Sequence, residues 1–170
     1  MVFLLDANVL IDANRDYYSL VCVPEFWEWL AYQGKLGNVK IPGEIYDELA
    51  RGTDDLSEWI KREDIKDCLL LNEEVDILSV RRVVDEGYAN DLTDTEVDGL
   101  GIDPFLIAYA LSSSDDEKFC VVSTENSKPK RTRANRHIPD VCDSFGISHF
   151  NSYEFFRLLK FRTNWKEFIE

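Results

Sequence analysis

Val2-Phe3-Leu4-Leu5-Asp6-Ala7-Asn8-Val9-Leu10-Ile11 decides the fold. Four apolar residues stop at a carboxylate, and a second apolar run follows Asn8. A short buried strand ending in an acid puts that acid at the carboxyl edge of a sheet, where open α/β folds keep their ligand crevice. Outward from this strand the pattern alternates. Further strands are expected at 39–41, 68–71, 119–122 and 147–150. Helices are expected at 21–35, 42–52, 54–63, 73–87, 103–112, 139–146 and 152–160, and the stretch 90–102 reads as an acidic loop with at most a helical turn. Alternating strands and helices imply crossover connections and a mainly parallel sheet covered on both faces. No repeat, low-complexity segment or Pro/Gly-rich linker breaks the chain, so 1–170 reads as a single domain with a basic loop at 126–137 and a C-terminal helical tail.

Length and composition set the limits. A chain of 170 residues with 45% hydrophobic residues closes a real core and is not disordered by composition. Lys and Arg total 19 against 33 for Asp and Glu, a net charge of −14. That balance argues against a protein that coats nucleic acid by bulk charge. It leaves room for an enzyme that meets RNA through a local basic patch and bound cations, and it suits a basic protein partner. Cys22, Cys68, Cys120 and Cys142 are widely spaced, with no C-x-x-C and only His137 and His149 beside them, so a zinc site is not expected. The first apolar run is too short for a signal peptide, and no stretch approaches a membrane span. The expectation is a soluble cytoplasmic protein.

Four acids stand at element boundaries. Asp6 ends the first strand. Glu48 lies in Ile41-Pro42-Gly43-Glu44-Ile45-Tyr46-Asp47-Glu48-Leu49, on the helix after the second strand. Asp103 precedes Pro104 at the start of a helix, and Glu125 closes Val121-Val122-Ser123-Thr124-Glu125. Each has a plain reading when taken alone: a turn former, an exposed helical acid, a helix cap and a loop residue. Together they sit at one edge of a parallel sheet, where clustered carboxylates raise one another's pKa unless a cation neutralises them. Hard oxygen donors favour Mg²⁺ or Mn²⁺, and such ions polarise a phosphodiester and activate water.

The segments L-L-D-A-N-V-L at 4–10, I-P-x-x-I-x-x-E-L at 41–49, D-P-F-L-I-A-Y-A at 103–110 and V-V-S-T-E at 121–125 resemble those of the PIN-domain ribonucleases, closest to the VapC-like toxins of prokaryotic toxin–antitoxin systems. The resemblance implies an α/β/α sandwich around a five-stranded parallel sheet and metal-dependent RNA cleavage. It also implies Asp6, Glu48, Asp103 and Glu125 as ligands of Mg²⁺ or Mn²⁺, with Asn8 and Ser123 supporting them. A homodimer and an antitoxin partner follow from the same resemblance. Two features depart from it: the fourth acid is usually Asp, and segment 126–146 is longer than in the smallest members. Asp98 and Asp140 stand as reserve candidates for the acidic pocket.

Lys128, Lys130, Arg131, Arg133 and Arg136 lie within nine residues, directly after Glu125. At the rim of the crevice they would hold RNA phosphates, while the plain reading is a solvated loop. The aromatic stretches Phe26-Trp27-Glu28-Trp29 and Phe155-Phe156-Arg157-Leu158-Leu159-Lys160-Phe161 read mostly as core, with any excess marking a dimer or partner groove. The two histidines are read as bystanders, because a metal generates the nucleophile without them. Two other readings compete with the nuclease. A catalytically inactive PIN-like module would bind protein or RNA without cleaving it. A haloacid-dehalogenase-type phosphatase also begins with an Asp after its first strand, but it needs a second Asp where this chain has Asn8. A nucleotide-binding Rossmann protein lacks the glycine-rich turn it would need after the first strand.

Overall fold

The computed structural model describes residues 1–113 and 118–169. Strand β1 (Val2–Leu5) is buried at every position, so side chains of both orientations meet protein and both sheet faces are covered. It runs straight into α1 (Ala7–Asp12), and a wider π-helical turn over Ala13–Tyr17 extends that helix. Helix α2 (Pro24–Lys35) opens on proline, whose missing N–H is harmless there, and leads to β2 (Val39–Lys40). Helices α3 (Gly43–Ala50), α4 (Asp55–Ile60) and α5 (Glu63–Leu69) follow. Helix α6 (Ile77–Arg82) passes into a second π-helical turn, Val83–Tyr88. Helices α7 (Asp94–Leu100) and α8 (Asp103–Leu111) precede β3 (Phe119–Ser123). The chain then forms α9 (Ile138–Ser144), β4 (His149–Asn151) and α10 (Ser152–Leu158).

The architecture is α/β, a parallel sheet flanked by helices in the order β2-β1-β3-β4. The expected five strands are four among the described residues. The stretch 68–71 corrects the count: α5 continues through Leu69, and only Leu70 makes a single bridge to Ile41. Ile65, Cys68 and Leu69 form one buried helical stripe, and four apolar residues in a row do not distinguish a strand from such a stripe. Gly34 accommodates the stripe, since a Cβ there would lie 2.6 Å from Leu69 Cδ2 and 2.8 Å from the Cys68 carbonyl oxygen.

Two further expectations change. The stretch 90–102 contains α7, opened by a capping box in which Thr93 and Glu96 satisfy each other's backbone amides. The expected helix 73–87 begins instead at α6, with Asp76 accepting from Leu78 and Ser79. Its inward face is Val83, while Leu78 is exposed, because the π-helical turn changes the phase and brings Gly87 and Tyr88 inside. The aromatic stretches face each other: Phe26, Trp29, Phe155, Phe156 and Phe161 pack in edge-to-face and tilted pairs with ring centres 4.9–6.3 Å apart. One core runs from Val2 to Trp165, whose indole donates to the Glu25 carbonyl. Among the described residues no helix is long and apolar enough to cross a membrane.

Candidate acidic site

The chain leaves β1 for β2 on one side of the sheet and leaves β3 for β4 on the other. The gap between the carboxyl ends of β1 and β3 is therefore the topological switch point, the usual crevice of an open parallel sheet. Leu5 pairs with Val122, and the Asp6 amide donates to the Val122 carbonyl at 2.9 Å. Asp6 and the Ser123–Glu125 turn thus flank one another. Helix α8 leads down into β3, so its first residue, Asp103, stands at the same edge. Glu48 arrives on α3, from the β2 side.

Asp6 is 4% exposed, and its Oδ2 is buried without a hydrogen-bond partner. Burial pushes its pKa up to about 6. The Asn8 side chain and the Ala7 and Asn8 amides pull it down without completing a helix-capping bond, and Glu125 pushes it up again. Asp103 is pushed up to about 7, first by burial and then by the charges of Asp6, Glu125 and Glu48. The helix-cap reading of Asp103 fails, since Ile102 occupies the capping position and no side chain caps α8. The charges of Asp6, Glu125 and Glu48 therefore all bear on Asp103, and that of Glu125 bears on Asp6. The four acids are not drawn in to ligand distance, for among the described residues no three His, Cys, Asp or Glu side chains form a cluster able to hold a metal. Both statements hold, because charges interact in a low-dielectric crevice well beyond the roughly 2 Å of a metal–oxygen bond.

The supporting residues have distinct tasks. Buried Ser123 accepts the Glu125 amide at 3.3 Å, which fixes the turn carrying that acid, and it meets His149 Nε2 at 2.9 Å. Burial holds His149 below the ordinary histidine pKa. Glu125 Oε2 accepts the Ile138 amide at 2.7 Å at the start of α9, and its Oε1 lies 3.7 Å from His137 Nδ1. The two histidines expected to be bystanders thus each touch a site residue.

The basic segment divides in two. Arg133 pairs with Asp91 at 2.6 Å and Glu96 at 2.9 Å, and draws Glu96 down to about 2. Arg136 donates to the Gly87 carbonyl, to the Asp140 carbonyl at 2.6 Å and to Ser144 at 2.8 Å. Lys128, Lys130 and Arg131 are exposed, with no ion pair among the described residues. Asp140 is buried outside the acid group. Burial alone would raise its pKa, but the Ser127 hydroxyl at 2.5 Å and the Lys128 amide at 2.7 Å outweigh it and hold the carboxyl low. Asp98 is exposed on α7.

Fold and site define an α/β protein with acidic residues at the switch point of a parallel sheet. The chain belongs to the family described as Domain of unknown function (DUF4411), whose model matches residues 3–163. No curated protein and no solved structure matches it.

Proposed function

We propose that this chain is a divalent-metal-dependent endoribonuclease, a PIN-like toxin of a toxin–antitoxin pair. The observation that carries the reading is the pair Asp6 and Asp103. They lie far apart in the sequence, stand at one switch-point edge, and carry pKa values raised to about 6 and about 7 beside two further acids. Carboxylates so placed are costly without a cation, and such perturbed groups cluster at functional sites.

The donor set fits Mg²⁺ or Mn²⁺. All donors are hard oxygens, and Asp6 Oδ2 is a buried acceptor with no donor of its own. Asp6, Glu48 and Asp103 would hold the ion with Glu125 assisting; when bound, it activates water and polarises the phosphodiester. The protein's own groups supply the rest. Asn8 orients the Asp6 carboxylate, and Ser123 fixes the turn of Glu125. Lys128, Lys130 and Arg131, three to six residues beyond Glu125, hold backbone phosphates. An acidic body of net charge −14 suits a basic antitoxin, and a homodimer belongs to the same proposal.

Purified protein with a structured RNA and Mn²⁺ tests the reading: the wild type cleaves and Asp6→Asn does not. Equal behaviour of the two removes the assignment. Two observations favour a second reading, a non-catalytic binding module: Glu125 already accepts the Ile138 amide at the start of α9, and no three ligand-type side chains are gathered among the described residues. Calorimetry with Mn²⁺ separates the two, since the module would give neither heat nor thermal stabilisation.

A further inference from the structure

We infer that Tyr88 is a substrate-facing member of the acidic crevice, its hydroxyl donating a hydrogen bond to a non-bridging phosphate oxygen of the bound diester. This rests on the nuclease reading above and extends it to a residue that the acidic motifs do not contain.

Tyr88 ends the π-helical turn Val83–Tyr88, a rare geometry that recurs at functional sites. The residue is 7% exposed, and its Oη is buried without a hydrogen-bond partner. The charged groups around it are Asp103, Glu125 and Arg136. A buried hydroxyl with no partner is a defect that phenylalanine would avoid at nearly the same volume. The chain nevertheless keeps this hydroxyl within electrostatic reach of two of its four predicted acids.

Its placement is rigid. Gly87 packs so closely on α9 that a Cβ would lie 2.7 Å from Val141 and 2.9 Å from Phe145. The Gly87 carbonyl is gripped by Arg136, whose other amino group holds Asp140 and Ser144. Arg136 therefore positions the turn that carries Tyr88, which accounts for its absence from the free basic cluster.

The chemistry selects the ligand. A phenol keeps its proton at neutral pH, its ordinary pKa being about 10, so the hydroxyl remains a donor. A donor without an acceptor, in a crevice otherwise lined by acceptors, suits an incoming anionic oxygen. A phosphate there meets repulsion from carboxylates, and a neutral hydroxyl offers attraction without adding charge to balance.

Tyr88→Phe removes one oxygen. Cleavage of a structured RNA with Mn²⁺ and binding of a fluorescent single-stranded RNA with Ca²⁺ are measured for wild type, Tyr88→Phe and Asp103→Asn. The expected result is an unchanged or higher Tm for Tyr88→Phe, with kcat/KM lower by about 10- to 100-fold and RNA affinity weaker by several-fold, as for loss of a hydrogen bond to a charged acceptor. Inactive Asp103→Asn beside a fully active Tyr88→Phe overturns the role of Tyr88 and leaves the nuclease reading standing. If the wild type cleaves nothing, the nuclease reading falls, and equal RNA affinity of wild type and Tyr88→Phe then removes this inference as well. An unfolded Tyr88→Phe also overturns it, since loss of an unpartnered hydroxyl leaves a fold intact.

Discussion

Asp103→Asn is expected to stabilise the protein, and by an amount that depends on pH. The group is held at about 7 against an ordinary 3.8, and at about 1.36 kcal/mol per pKa step the gap is worth about 4 kcal/mol. The sign follows from the direction. A carboxyl raised in the folded state costs nothing below about pH 4, where both states are protonated. The cost grows as the unfolded chain ionises first, and it is complete above about pH 7. Linkage gives a cost of roughly 1.5 kcal/mol near pH 5 and roughly 4 near pH 8. Asparagine has nearly the same shape and no charge. Losing a negative group from the first turn of α8 costs about 0.5 kcal/mol of dipole interaction, and any change of packing is independent of pH. The gain of the variant over wild type should therefore grow by about 2 to 3 kcal/mol between pH 5 and pH 8. Urea unfolding followed by tryptophan fluorescence in a chelator measures it. A difference between variant and wild type that stays flat within about 0.5 kcal/mol across that range refutes the raised pKa of Asp103.

Three further outcomes follow from the same geometry. Near pH 8, Mn²⁺ at about 100 times its Kd should stabilise the wild type by about 2.7 kcal/mol in thermal or urea unfolding, and much less near pH 5, where protons occupy Asp6 and Asp103; Asp103→Asn should lose most of the gain. Replacing Lys128, Lys130 and Arg131 together by alanine should lower the salt dependence of RNA affinity by about two to three phosphate contacts without lowering Tm, as read by anisotropy titrations across ionic strength. Gly87→Ala should cost about 1–3 kcal/mol by pressing on Val141 and Phe145, and should reduce RNA cleavage along with it, as denaturant unfolding and a cleavage assay would show.

The strands Val2–Leu5 and Phe119–Ser123 were legible because their apolar runs are rich in β-branched and aromatic residues (Val2, Phe3, Phe119, Val121, Val122), which suit a buried strand, where 68–71 holds only Cys and Leu. The shared placement of Asp6, Glu48, Asp103 and Glu125 followed from the same step, since parallel strands carry their carboxyl ends to one edge. Residues 68–71 were misread because a helix that ends on Cys68 and Leu69 leaves an unbroken apolar run, which hides the stripe begun at Ile65. The signal for α7 was present in Thr93-x-x-Glu96, but the acids and glycines around it read as loop. Tyr88 carried no signal at all. A π-helical turn changes the phase of a helix by inserting a residue, and no 3.6-residue pattern anticipates where that happens. The tasks of Arg133, Arg136 and Asp140 were hidden for another reason. Each depends on partners brought close by tertiary structure, and a run of basic residues looks the same whether its charges are free or paired.

That division of the basic segment bears on how the site is built. Asp140 fixes one end of the loop through Ser127 and Lys128, and Arg133 fixes the other to Asp91 and Glu96. Lys128, Lys130 and Arg131 are left between two anchors, on a turn closed by the Arg131 amide donating to the Lys128 carbonyl at 2.9 Å. A loop serving only solubility needs no buried carboxylate at its base, because exposed lysines are solvated wherever they point. Burying Asp140 has a desolvation cost, which the hydrogen bonds from Ser127 and Lys128 outweigh, and the same bonds hold that turn in place. The same segment gives Arg136 to Gly87, at the base of Tyr88, and its first turn carries Glu125. One stretch after β3 thus sets both the cationic turn and two groups of the crevice. Loosening it at Asp140 should therefore disturb phosphate binding and the acidic site together, where removal of the three free cations should disturb binding alone.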